Sequence, residues 1–259
     1  MLPLTALKLV LVPSFIGLVS LAGKRWGARF AGWLAGMPIV AGPILFLLWI
    51  ERGAGFARAA AVYSLAAVAS VIAYSTGYAW LSRRWAWPVA LAGAYVVWFL
   101  TALVILAASI GTIGAGLVAV GSLLAAPHAL PKPVSIPPQA QLPRVDLALR
   151  MLTGAALTLI VTMLAGSLGT RLSGVFALFP IMSAVLAVFT HRNAGSDAVI
   201  AMLRGLASGL YSLVAFCLTL ALMPSDQPAW VFAAAVAAAL AAQAFVGVVH
   251  SQVDHVQVR

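Results

Sequence analysis

Residues 30–50 read FAGWLAGMPIVAGPILFLLWI, an apolar run with no charged side chain, prolines at 38 and 43, and Arg29 just ahead of it. The pattern returns later in the chain. RFAGWLAGMPI, Arg29 to Ile39, aligns without a gap on RLSGVFALFPI, Arg171 to Ile181. Identical residues fall at Arg29/Arg171, Gly32/Gly174, Ala35/Ala177, Pro38/Pro180 and Ile39/Ile181. Upstream, Gly27 faces Gly169 and Lys8 faces Arg150. A chain with this repeat is two related halves with a broken helix in each.

The solvent for these halves is lipid. Only 8% of the residues are charged and 64% are hydrophobic, against about 25% charged in soluble domains. Too few polar groups exist to cover a water-facing surface. The formal charge of +10 does not point to nucleic acid, because the basic residues stand singly or in pairs between apolar runs. They read as topology signals. The single cysteine, Cys217, excludes a disulfide framework and reads as a buried packing residue.

The runs predict an all-α integral membrane protein of about nine transmembrane helices. Span one, Leu2 to Gly23, resembles a signal peptide, but its counterpart at Asp146 to Gly166 lies mid-chain, so it is read as a retained helix. Span two is Phe30 to Ile50 and span three runs from about Ala59 to Ser82. Residues 88–126 carry no formal charge. One helix of that length would reach about 58 Å, roughly twice a hydrocarbon core. A break near Ser109-Ile110-Gly111-Thr112 makes it spans four and five. Residues 127–143 hold six of the fourteen prolines and predict an extended linker outside the bilayer. Spans six to nine are Asp146 to Gly166, Leu172 to Thr190, Ala198 to Met223 and Pro228 to His250. The domain plan is therefore 1–126 (spans one to four plus linking span five), 127–145 (linker) and 146–259 (second repeat).

Charge orients this plan. Nine alternating crossings leave 4 basic residues on the side of the N-terminus and 11 on the other. A single crossing over 88–126 would give 6 against 9. The sharper split favours nine, with the N-terminus outside and the linker and C-terminus in the cytoplasm. Trp26, Trp49, Trp80, Trp85, Trp87 and Trp230 fall at span ends, where interfacial anchors belong. Five spans before the second copy make the four-helix repeats inverted, the arrangement on which alternating access is built.

The candidate site residues follow from the breaks. A proline within a helix removes one hydrogen bond and displaces the carbonyl four residues back. That carbonyl is Leu34 for Pro38, Phe176 for Pro180 and Ile39 for Pro43. Paired broken helices mark a midplane binding site, although a packing kink has the same signature. Arg29 and Arg171, at the mouths of these helices, either snorkel to headgroups or favour an anionic solute. Arg204, Ser208, Tyr211 and Ser212 share one face of span eight, and Ser70, Tyr74 and Tyr78 one face of span three. Such faces line a cavity or bond between helices. The substrate-binding set is thus Arg29, Pro38, Tyr74, Arg171, Pro180, Arg204, Ser208 and Tyr211. Gly32-x-x-x-Gly36 and Gly205-x-x-x-Gly209 permit close helix contact, in a motif common in apolar sequence. No carboxylate lies deep in a span, and no catalytic, phosphate-binding or metal-binding motif is present, so no enzymatic activity and no cofactor are expected.

The stretch containing FALFP, the small loop Ala194-Gly195 and an arginine early in the next helix resembles the small four-helix bacterial membrane proteins of the GlpM type. The first half is similar, with LAGMP for FALFP. The resemblance covers about 50 residues per half and implies a bacterial inner-membrane location. The layout of inverted repeats is also similar to that of the drug/metabolite transporter superfamily, by architecture alone. The function expected is secondary transport of a small anionic or neutral solute. The alternative is a non-transporting membrane subunit or scaffold that binds a protein or lipid. A polar cavity at Pro38 and Pro180 is the expectation of the first reading, and a dry, packed seam that of the second. The partners are the bilayer and a small solute, with no nucleic acid, and a homo-oligomer is compatible with the plan.

Overall fold

The computed structural model describes residues 2–108, 110–135, 143–165 and 179–256, with side chains for 9–108, 110–135, 143–160 and 179–247. Among them are nine helices and no strand. They are α1 (Leu2–Trp26), α2 (Ala28–Ala35), α3 (Ala41–Arg52), α4 (Ala54–Leu81), α5 (Trp87–Ala107), α6 (Thr112–Ala129), α7 (Arg144–Ala165), α8 (Ile181–Leu222) and α9 (Pro228–Val256). Six of these, α1, α4, α5, α6, α8 and α9, are long and apolar enough to cross a membrane. Gly169, Arg171, Gly174 and Phe176, on which the second broken run was read, lie outside the described residues.

Three expected breaks are present. α5 stops at Ala107 and α6 starts at Thr112, at the interruption read from Ser109 to Thr112. The run 30–50 splits into α2 and α3 around Pro38. α8 has 42 residues and would reach about 63 Å if straight. It is folded at Gly195 instead. Thr190 Oγ1 lies 3.8 Å from Met202 Sδ, whereas twelve helical residues would hold them about 18 Å apart. The two arms of α8 therefore form a hairpin. The linker differs from expectation at its start, because α6 continues through Pro127 to Ala129 before the chain extends.

The hairpin elbow is a residue in left-handed space, Gly195 at φ 82°, ψ −175°. Gly53, between α3 and α4, has nearly the same conformation, φ 85°, ψ 169°. The spacing that superposes Arg29 on Arg171 also superposes Gly53 on Gly195. The sequence repeat is thus matched by a repeat of backbone geometry at a point where only glycine fits readily.

The helices pair in opposed directions across the repeat. Ile16 Cδ1 lies over Gly154 while Met151 Sδ lies over Gly17, and Ser20 and Arg150 line one pocket. Rising numbers on α1 meet falling numbers on α7, so the two run antiparallel. The same holds for α4 and the second arm of α8. Arg58, near the start of α4, reaches Asp226 and the carbonyls of Met223 and Ser225 past the end of α8. Tyr78, near the end of α4, reaches His191 beside the elbow.

The closest seam joins α2 to the second arm of α8. A Cβ added to Gly32 would sit 1.8 Å from the Met202 carbonyl oxygen, and one added to Gly205 2.0 Å from that of Arg29. Gly36 and Gly209 meet one turn further on. The two glycine motifs face each other, and the helices touch backbone to backbone. Lipid offers no hydrophobic drive for helix association, so close van der Waals contact of this kind is what holds α2 in place.

Candidate functional site

The break at Pro38 opens onto a cavity of about 480 Å³ between α2, α3, α8 and α9. Met37, Pro38 and Pro43 form one wall, Phe216 and Phe232 another. Phe46, Val236 and Leu240 also line it and are among the exposed apolar side chains, so the cavity opens sideways towards lipid. Its lining is almost wholly apolar, neither the polar cavity nor the packed seam foreseen from sequence.

The reason lies in the backbone. The Pro38 carbonyl accepts the Gly42 N–H at 2.8 Å and starts α3. The Leu34 carbonyl, expected to be freed, accepts the Met37 N–H at 3.1 Å in a tighter turn. Pro43 falls in the first turn of α3, where a missing N–H costs nothing. It is therefore not a second kink at Ile39. The break exposes ring and methylene surface, with its carbonyls already used.

Pro180 is the structural counterpart. It caps α8, and its carbonyl accepts the Ala184 N–H at 2.9 Å. Around it the space is filled. Phe179 stacks on Tyr95 with centroids 5.4 Å apart and meets Trp98 edge-on at 4.9 Å. Tyr95 packs on Tyr74 at 5.6 Å. The repeat superposes Met37 on Phe179 and Phe216 on Tyr74. The same pair of positions therefore borders an open cavity at one break and a closed aromatic cluster at the other.

The closed cluster holds polar groups without partners. Tyr74 and Ser70 are fully buried on α4, and neither hydroxyl has a hydrogen bond. An unpaired buried hydroxyl costs about 1–3 kcal/mol. One turn on, the Tyr78 hydroxyl lies 3.5 Å from His191 Nδ1. Ser75 and Thr76, from the same polar stretch, bond back to the carbonyls of Val71 and Ile72.

The remaining sequence candidates gather elsewhere. Arg29 lies where α2 enters the glycine seam, with Arg204 near it on α8. Arg204 donates through one guanidinium nitrogen to the Leu130 carbonyl at 2.7 Å and the Pro127 carbonyl at 3.2 Å. It thereby caps the C-terminal end of α6, the place where a helix dipole favours a cation. Ser208 donates to Gly205 within its own helix. Tyr211 is half-buried and packs on the core. Arg171 lies outside the described residues. The structure brings Tyr74 and Pro180 into one neighbourhood, Arg29 and Arg204 into another, and leaves Pro38 at the cavity.

Sequence reasoning missed the fastening of the linker. Trp80 Nε1 donates to the Ala129 carbonyl at 2.8 Å and Arg83 to that of Lys132 at 2.6 Å. Asp197, just past the elbow, accepts from the Val134 and Ser135 backbone N–H groups. Its position in the small-residue loop was visible in sequence, but its partners were not.

No protein family, no curated protein and no solved structure matches the chain.

Proposed function

We propose that this multi-pass helical membrane protein is a secondary transporter for a small solute with an apolar body, neutral or anionic. The observation that carries the reading is the unequal state of two equivalent places: a cavity at Pro38, and a filled cluster at Pro180. In an inverted-repeat carrier the two breaks exchange these states as one half rocks against the other. The antiparallel course of α1 against α7, and of α4 against the second arm of α8, supports that plan. Spans two, six and seven of the nine are then α2 with α3, α7, and the first arm of α8 with the residues before it. The location is the bacterial inner membrane. The protein is not an enzyme, and its coupling does not run through a buried acid. A solute that enters sideways from lipid suits the apolar lining, and the basic residues at the inner mouth suit an acidic head group.

The apolar lining also favours the second reading, a non-transporting subunit that holds a lipid chain. One experiment separates the two. Neutral and anionic aromatic solutes are screened by thermal shift in detergent, since binding stabilises the folded state. Each stabiliser is then followed by counterflow in proteoliposomes. Saturable counterflow that is lost in Ala239→Trp, a variant that fills the cavity, is the expected result. Stabilisation without counterflow favours the lipid-holding subunit. Labels placed at the start of the chain and at Ser135 should react from opposite faces of the membrane. Reaction from one face removes the inverted plan and the carrier reading with it.

A further inference from the structure

A second, much smaller pocket, about 30 Å³, lies between α1, α7 and the two arms of α8. Its lining includes Ser20, Lys24, Arg150 and Thr190, and no carboxylate. Arg150 is only 4% exposed, and Ser20 only 5%. The Ser20 hydroxyl has no hydrogen-bond partner. Arg150 is fixed from two sides, by a 2.8 Å bond from Nε to Asp146 and by the Phe189 ring 5.1 Å from Cζ. Of the neighbouring acids, Asp146 is thus engaged by Arg150 and Asp197 by the linker. Ala194 and Ala198 also line the pocket on either side of the Gly195 elbow, so the N-terminal end of the second arm adds its positive dipole.

From this geometry we infer that the pocket binds one small monovalent anion of halide size. The volume decides the size class. A space of about 30 Å³ holds a water or two, which admits a dehydrated halide and excludes phosphate or a lipid headgroup. The charge decides the sign. Two cations and an unpaired hydroxyl donor in a poorly hydrated site favour an anion over neutral water. The site is distinct from the Pro38 cavity and stands whether or not that cavity carries a solute.

The test uses the full chain in detergent with sodium gluconate as the reference salt. Chloride, bromide and phosphate replace gluconate in turn at constant ionic strength, and thermal stability is read. A saturable rise with chloride and bromide, absent with phosphate, is expected. Ser20→Ala removes one donor to a charged ligand and should weaken the apparent halide affinity about tenfold, while remaining folded in gluconate. Lys24→Gln should weaken it as well. Bromide should give anomalous scattering beside Ser20 and Arg150. Identical stability in all four salts, or a halide response that Ser20→Ala leaves unchanged, would mean a pocket that holds only water and would overturn the assignment.

Discussion

Valine at Gly205 should destroy the native packing of this protein, and alanine should damage it severely. The first atom added lands 2.0 Å from the Arg29 carbonyl oxygen, more than 1 Å inside ordinary contact distance. The obstacle is the backbone of a packed helix, so no side-chain rotation relieves it. α2 must move away from α8 along its length. That movement also separates Gly32 from Met202 and Gly209 from Trp33, whose closest approaches to an added Cβ are 1.8 and 2.2 Å. Overpacking of a core costs about 1–3 kcal/mol and occasionally more. Here the expected loss for Gly205→Ala is about 3 kcal/mol, a drop in Tm of roughly 6–12 °C for a chain of this size. Gly205→Val should give no monodisperse folded peak. Gly121→Ala is the control, since nothing lies within 4 Å of its added Cβ, and its Tm should stay within about 2 °C of the parent. A Gly205→Val protein that melts with the parent would show that the seam does not hold α2.

Much of this fold can be read from the chain. Residues 88–126 are too long and too apolar for one crossing, so the break before Thr112 follows from length alone. Pro38 announces the split between α2 and α3, because the ring forbids one hydrogen bond. The buried polar stripe of α4 follows from the spacing of Ser70, Tyr74 and Tyr78. What the chain does not carry is which surface meets which. Gly32-x-x-x-Gly36 is legible as a close-contact motif, but its partner, Gly205-x-x-x-Gly209, lies far along the sequence with no complementary signal. Lys24 and Arg150 each read as topology charges, and only folding α1 against α7 places them in one pocket. Arg204 looks like a cavity residue by periodicity, whereas its guanidinium goes to carbonyls at the end of α6. Carbonyl partners leave no trace in side-chain identity. The polarity expected at Pro38 failed for a related reason. A break read as a loss of hydrogen bonds was repaired locally, by Met37 and Gly42.

Alanine at Gly53 or at Gly195 should cost about 1–3 kcal/mol each, the strain of placing a Cβ residue in a region that essentially only glycine occupies. Space is not the issue, because no atom lies within 4 Å of the added Cβ at either position. The whole cost is therefore backbone strain, and the equal geometry of the two elbows predicts nearly equal losses. A Tm drop of roughly 2–12 °C is expected for each. The double variant should lose the sum, since α4 and the second arm of α8 are antiparallel and the elbows stand at opposite ends of the bundle. Gly55→Ala has open space and no positive φ, so it should melt with the parent. Differential scanning fluorimetry on the four proteins decides the point. Tolerance of alanine at one elbow but not the other would mean that the repeat of sequence at these positions is not a repeat of structure. Equal and additive losses would mean that the chain turns the same corner at each end of the bundle. Two identical hinges at opposite ends are what a rocking motion between two inverted halves requires.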